Sequence, residues 1–514
     1  MNRIDTETFR LRRFVGELAE AGECEVRDQP TDLIDLGGAL DCNPKAVWFR
    51  AAGPERAEVV GNVMGSRKRL ALALDTDAQG FPGKLRDGIE HPIAPVEIPA
   101  AEAPVQEVVL TGKEADFTKL PVHLQHALDG APYISAGIDF ARDPVSGLTN
   151  IGCRRLMLRG AQAAGIDLNA PSDLRAVYQG MVAKGEKLPI AFAVGCHPAD
   201  FLAAQAVTPP IDEVHVMGGI RGAPVPMVKC ATIDLKVPAD AEMVLEGYLD
   251  PRGLVEPEGP YGEYIGYYGM LKRNPVFHLT AITKRHDAIF QTVTIGGKLI
   301  GRTDTAQLGA ARTEAAVWAA LRQAIRQPVA VCCTGSSGGM YNVRMSIKQR
   351  YPGEARNAIA AVFCSTADVK HVIVVDDDVD VFSDEQVDWA FATRFQADRD
   401  LVVASGFRAV PLDPSLQGSR TGAKAGFDCT KPLGKDSEFA FTVPVAPVLP
   451  QAPRRTVEAV LAEGPATYLD LMAALGTRDG REILPILERL YAAGKLGRLE
   501  DGRYVLSSPP PGSS

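Results

Sequence analysis

The chain has 514 residues, 46% of them hydrophobic and 23% charged, the profile of a folded globular protein, which excludes a disordered or fibrous one. Its formal net charge of −9 disfavours broad contact with nucleic acid or an anionic membrane, so a small anionic substrate would need a local basic site. Roughly two to four domains are expected at this length.

The opening MNRIDTETFRLRRF has no apolar core of the signal-peptide kind, and no apolar run approaches the ~20 residues that span a bilayer. A cytoplasmic location is the expectation. The nine cysteines are scattered with no CxxC spacing, as buried thiols of a reducing compartment would be, and they point to neither a disulfide frame nor a thiolate zinc site.

In chain order, Phe14 to Asp28 reads as an amphipathic helix, FVGELAEAG, stopped at Gly22 and followed by a short strand, CEVRD. The Pro- and Ala-rich stretch from His91 to Leu110 reads as a connection between domains. From there to about residue 320 the pattern is mostly β, with short apolar or alternating runs such as PYISAGIDFA, IAFAVG, EVHVMGGI, VPMVKCATIDL and PVFHLTAIT. Residues 330 to 445 carry the strand candidates PVAVCCT, IAAVFCS and KHVIVVD between helix-compatible segments, an α/β layer.

The Pro-rich stretch Val443 to Pro453 reads as an extended linker. Beyond it TVEAVLAE, TYLDLMAAL and REILPILERLYAAG have helical periods. KLGRLEDGRYVL reads as a hairpin turning at Asp501-Gly502, so the order is that of a winged helix. DNA binding would want excess positive charge there, but from Gln451 onward eight Lys or Arg stand against eight Asp or Glu. A protein-contact role fits better.

Chemistry concentrates in the middle third. In Glu258-Gly-Pro-Tyr-Gly-Glu263 the glycines and proline exclude a regular helix, and an odd separation on a straight strand would point the two carboxylates to opposite faces. Only a bent segment brings them together, where their proton affinities would be driven apart and one could serve as an acid. Standing alone the motif is equally a surface loop with two solvated glutamates. Upstream, Thr149-Asn-Ile-Gly-Cys-Arg-Arg155-Leu-Met-Leu places an amide and two guanidinium groups in a strand-like apolar run. One of Arg154 and Arg155 is expected to face a carboxylate or phosphate, unless both flank an exposed edge.

The blocks PYISAGIDFARDPVSGLTNIGCRRLML, VPADAEMVLEGYL with EGPYGEYIGYYG, and VIVVDDDVDVFSDEQVDWAFATR, preceded by VGNVMGSRKRLALAL, resemble the UbiD family of decarboxylases in order and spacing. The likeness runs from about residue 8 to 435; the tail lies outside it, where the family more commonly ends in a long helix. The resemblance implies an α/β (α+β) fold in which a central split β-barrel, residues 106–325, binds prenylated flavin mononucleotide (prenylated FMN). Around it are expected an N-terminal α/β segment over 1–105, a C-terminal α/β domain over 326–445 that dimerises, and the winged-helix-like tail over 453–507. The implied reaction is reversible non-oxidative decarboxylation of an aromatic, heteroaromatic or α,β-unsaturated carboxylic acid, in a homodimer or higher homo-oligomer whose cofactor comes from a flavin prenyltransferase.

Carried over by position, Arg155, Glu258 and Glu263 match the family's catalytic network, and Asn150 and Glu213 match two of its three metal-binding positions. The third, usually histidine, matches Asp173, whose carboxylate suits Mn²⁺ or Mg²⁺; K⁺ is a further candidate ion. Asn150, Arg155 and Lys424 match cofactor-binding positions. The aspartates Asp376, Asp377, Asp378 and Asp380 read instead as a strand end and a helix cap near Ser383 or Asp384, Gly335 to Gly339 as a turn, and His123, His126 and His197 as structural. Two rival readings are a metal-dependent hydrolase built on Asn150, Asp173 and Glu213, and a ligand-sensing regulator whose tail binds DNA.

Overall fold

Leu11, Phe14, Val15 and Leu18 recur three and four residues apart, so a helix over Leu11–Glu20 buries all four on one side. The computed structural model of the protein describes residues 4–206, 208, 210–366, 368–433 and 441–507. In it the helix is followed by strand Cys24–Arg27, which pairs in parallel with Ala46–Ala52; that strand pairs antiparallel with Ala57–Gly61. The sheet is completed by Phe290–Thr292, a strand from far downstream. The N-terminal segment is thereby stitched to the middle of the chain.

The middle is a closed barrel. Strands Met243–Leu249, Leu188–Val194, Tyr133–Arg142, Thr149–Leu158, Ala163–Ile166 and Val276–Lys284 neighbour one another in that order, and the first pairs with the last. Val108–Thr111, from the connecting stretch, adds an outer pairing to Val276–Lys284. Alternation splits strands Tyr133–Arg142, Thr149–Leu158, Leu188–Val194 and Met243–Leu249 between two cores. Ile134, Leu156, Ile190, Phe192, Leu245 and Phe277 fill one, with the Phe192 and Phe277 rings edge to face at 4.9 Å. Tyr133, Ile138, Phe140, Ile151, Met157 and Val244 face the other. Strand Tyr133–Arg142 is therefore buried on both faces along nearly its whole length.

Two runs expected as strands are helices. EVHVMGGI forms helix Glu213–Arg221: Asp212 caps it by accepting from the Val214 N–H at 3.2 Å, Val214, Met217 and Ile220 recur at helical spacing on its buried side, and Gly222 ends it. IAAVFCS is the end of helix Glu354–Ser365, whose buried residues Ala355, Ala358, Ile359, Val362 and Phe363 follow the 3.6 period. In both, β-branched content mimics a strand while packing on one face decides for helix.

After helix Asp304–Ala324 comes a five-stranded sheet in the order Pro328–Cys333, Asn342–Ile347, His371–Asp376, Thr421–Cys429, Leu401–Arg408. The aspartate run ends strand His371–Asp376, and Ser383 caps helix Asp384–Arg394 by accepting from the Gln386 N–H. Arg394 gathers Asp376 at 3.3 Å and Asp378 at 2.9 Å.

Residues 431–514 make a second unit. Within it, helices Val457–Glu463, Tyr468–Leu475 and Leu484–Ala492 precede a hairpin of Leu496–Arg498 and Tyr504–Leu506. Thr467 and Asp470 form a reciprocal capping box, and Val457, Leu461, Leu471, Ile483 and Leu487 supply a small core. Residues 443–453 carry no helix or strand. No described helix is long and apolar enough to cross a membrane.

Candidate active site

Arg155 projects from strand Thr149–Leu158, while Glu258 ends the short strand Glu256–Glu258, which pairs with Lys272–Asn274 so that Glu258 lies opposite Lys272. The chain then turns at Gly259, whose φ of 101° suits a residue without a side chain, and Tyr261–Gly262 pairs with Tyr268–Gly269. That bend brings both glutamates onto one guanidinium. Arg155 Nε donates to Glu258 Oε1 at 3.0 Å, Nη2 to Glu258 Oε2 at 3.3 Å, and Nη1 to Glu263 Oε1 at 3.1 Å. Glu258 is 0% and Glu263 2% exposed, and the guanidinium stacks 4.4 Å from the Tyr261 ring centroid.

Three further residues complete the cluster. Asp167, just after strand Ala163–Ile166, accepts from Arg155 Nη2 at 2.9 Å and from Lys272 Nζ at 3.2 Å. Lys272 Nζ also lies 3.7 Å from Glu263 Oε1. Asn274 donates to Glu258 Oε2 at 3.2 Å and accepts from the Leu168 N–H at 2.9 Å, tying the Asp167 loop to the glutamate. Burial by itself would push the Asp167 carboxyl up, but Arg155 and Lys272 outweigh it and hold the group down at about 2. Burial likewise opposes the charge on Arg155, yet Glu263, Glu258 and Asp167 keep it well above the ordinary arginine range.

Asn150 and Glu213 meet beside the same strand. Glu213 Oε2 accepts from Asn150 Nδ2 at 3.0 Å and from the Ile151 N–H at 2.6 Å, while Asn150 Oδ1 is buried without a partner. Burial, with Asp139 and Asp173 adding like charge, pushes the Glu213 carboxyl up to about 7. Asp173, the first residue of helix Asp173–Lys184, acts on this pair through its charge. An orphaned amide oxygen beside a buried carboxylate is donor chemistry of the kind a hard divalent cation takes, although among the described residues no three of His, Cys, Asp and Glu gather into a preformed cation site.

Lys424 is engaged elsewhere: its Nζ donates to the carbonyls of Phe363 at 2.9 Å and Thr366 at 2.8 Å, closing the end of helix Glu354–Ser365. Arg154 faces Asp139 at 3.5 Å, with both Asp139 oxygens otherwise unpartnered. Among the histidines, burial pushes His123 down to about 4 and His197 down to about 3; His197 accepts from the Ala199 N–H at a helix start, while His123 Nδ1 is buried without a hydrogen-bond partner. His126 differs. Its Nδ1 lies 3.4 Å from Asp129, and a side chain at Gly262 would start 2.4 Å from its ring. His126 and Tyr268 also line a cavity of about 320 Å³ together with Gln125, Thr294 and Arg302.

Sequence reasoning missed Asp167, Lys272 and Asn274. The one signal available was Lys-Arg-Asn at 272–274, a polar triplet at a strand position soon after the glutamate motif.

Residues 96–298 match the Rift-related domain of 3-octaprenyl-4-hydroxybenzoate carboxy-lyase, and residues 306–429 match that enzyme's C-terminal domain. Anhydromevalonate phosphate decarboxylase of Methanosarcina mazei is 30% identical over 430 residues, covering 83% of this chain and 97% of that protein. The UbiD-class enzyme HmfF from Pelotomaculum thermopropionicum, in complex with FMN, superposes with a TM-score of 0.80 at 35% identity, over 85% of this chain and 97% of HmfF. An evolved dimeric form of HmfF in complex with prenylated FMN gives 0.77 at 33% identity, over 86% and 97%. The apo 3,4-dihydroxybenzoic acid decarboxylase AroY of Klebsiella pneumoniae gives 0.78 at 29% identity, over 86% and 98%.

Proposed function

Because the chain belongs to the UbiD family of carboxy-lyases, we propose that it is a non-oxidative decarboxylase that works with prenylated FMN on an aromatic, heteroaromatic or α,β-unsaturated carboxylic acid. The observation that carries the reading is the convergence of Glu258 and Glu263 on Arg155, buried in a fold shared with flavin-bound relatives.

Loss of CO₂ leaves an electron pair on carbon that no amino-acid side chain can accept, and the prenylated flavin, when bound, supplies that electron sink. Glu258, fixed by Arg155 and Asn274, donates the proton to the carbon that CO₂ has left. Arg155 and Lys272 hold the Asp167 carboxyl low, which makes it a poor donor. Since Arg155 is occupied by three carboxylates, its part is to hold the acids in place rather than to grip the substrate. Glu263 shares the guanidinium and tunes the transfer.

Asn150, Glu213 and Asp173 are the proposed ligands of Mn²⁺ or Mg²⁺, with K⁺ a further ion, and the cation would offset the charge of a flavin phosphate. Lys424 stays in the proposal on family resemblance; to reach a cofactor it has to release the two carbonyls it now holds. A homodimer or higher homo-oligomer in the cytoplasm, supplied by a flavin prenyltransferase, completes the reading.

The test is co-expression with a flavin prenyltransferase, followed by visible absorbance, elemental analysis and a screen of such acids for CO₂ release. A bound flavin with CO₂ release from at least one acid is expected. A colourless protein that stays inactive after reconstitution with prenylated FMN would contradict it.

A further inference from the structure

The Arg155 cluster holds more fixed charge than a single proton transfer requires. Two cations, Arg155 and Lys272, face three carboxylates, Glu258, Glu263 and Asp167, all within salt-bridge distance of one another's partners. Three carboxylates against two cations leave the cluster one negative charge in excess when every group is ionised, and both glutamates that share it are buried. One proton held within the cluster brings its charge to zero.

The other titratable groups near the cluster have nearer neighbours outside it. Arg159, from the end of the Arg155 strand, approaches Glu256 at 3.7 Å, and His126 approaches Asp129 at 3.4 Å. Tyr133 and Tyr261 present hydroxyls that burial keeps protonated, and Asn274 is neutral. Among the described residues, Asp167 and Lys272 are the charges that touch the Arg155, Glu258 and Glu263 network directly and lie outside the donor machinery.

We propose that Asp167 and Lys272 are positioning residues whose fixed, opposite charges set the pH range over which the Glu258 and Glu263 pair keeps the proton it delivers. The inference rests on Glu258 as donor, and it adds a control that the glutamates and arginine alone do not supply. The signs follow from electrostatics. Removing the negative charge of Asp167 eases ionisation of the glutamates, so the proton leaves at lower pH; removing the positive charge of Lys272 hinders ionisation, so the proton stays to higher pH.

The experiment uses the full-length, cofactor-loaded enzyme and the variants Asp167→Asn, Lys272→Met, Lys272→Arg and the Asp167→Asn/Lys272→Met double. Two readouts run in parallel: the protonated-carboxyl infrared band followed against pH, assigned by its loss in Glu258→Gln or Glu263→Gln, and the alkaline limb of turnover. Asp167→Asn should move both midpoints down by about one pH unit and Lys272→Met up by about one, with Lys272→Arg near wild type and the double variant between the singles. General structural damage cannot produce shifts of opposite sign. Equal midpoints, or shifts in the same direction, overturn the proposal, and Asp167→Asn alone decides if Lys272→Met does not fold. Shifted infrared midpoints with no acid decarboxylated would sustain the charge control and sink the proposed reaction, whereas turnover with unshifted midpoints would do the reverse.

Discussion

Glu258 and Arg155 have separable jobs at the centre, and substitution reads them apart. Glu258→Gln keeps the shape and the Asn274 contact but carries no transferable proton, so turnover should fall by ~10²–10⁴-fold with cofactor content unchanged. Turnover within a few-fold of wild type would move the acid role elsewhere. Arg155→Ala should be at least as damaging, because it leaves three carboxylates facing one another without their shared cation. Asp139 offers a test of stability in place of chemistry. Burial raises its carboxyl to about 6, with Arg154 only partly opposing. An acid whose folded value lies above the unfolded one favours the fold while protonated, so this contribution is lost as pH rises from about 4 to about 6. Asp139→Asn should therefore melt close to wild type near pH 4 and be more stable near pH 7, by up to about 3 kcal/mol in chelator, as followed by thermal unfolding. An equal melting difference at both pH values would rule out this account.

At the scale of elements, the site depends on places where regular structure stops. The Glu258 to Glu263 segment was legible as a bend because its glycines and proline are local facts, and the structure realises that bend at Gly259. Gly262 has a further constraint, since a methyl there would start 2.4 Å from His126. Gly262→Ala is accordingly expected to lower turnover by at least tenfold while leaving the melting temperature within a few degrees, a ΔΔG of roughly 1 kcal/mol. Asp173 and Glu213 each occupy the first residue of a helix, where the dipole favours a carboxylate, and a bound cation would draw on the same pair. Elemental analysis of Glu213→Gln should show metal content reduced at least several-fold, with flavin lost alongside it; full metal retention would exclude Glu213 as a ligand. The runs EVHVMGGI and IAAVFCS were misread because valine and isoleucine favour strands in isolation, and only the faces they bury show the helical period.

For the molecule as a whole, the second unit is the part that departs from the family match, which ends at residue 429. Its folded part, from helix Val457–Glu463 to strand Tyr504–Leu506, has fewer than ~60 residues and is only marginally stable alone, and its third helix leaves Leu484 and Tyr491, seven residues apart on one face, 55% and 76% exposed. A role in subunit assembly suits that face better than DNA binding, given eight positive and eight negative side chains from Gln451 onward. A chain ending near Pro450 should sediment as a smaller assembly and bind low-salt DNA no differently from the full chain; unchanged mass with tail-dependent DNA binding would reverse the assignment. The sequence by itself determined the chemistry-bearing pieces whose signal is local: the bent glutamate motif, the arginine in an apolar strand, the capped amphipathic helices of the tail. Tertiary structure decided which charges share a site. Arg155 reaches Glu258 and Glu263 across 103 and 108 residues, and Asp167, Lys272 and Asn274 join them through strand register, which depends on how distant segments pack and leaves no mark on local composition. The same holds for Lys424, drawn to the end of a helix because carbonyls there lack partners within the helix itself.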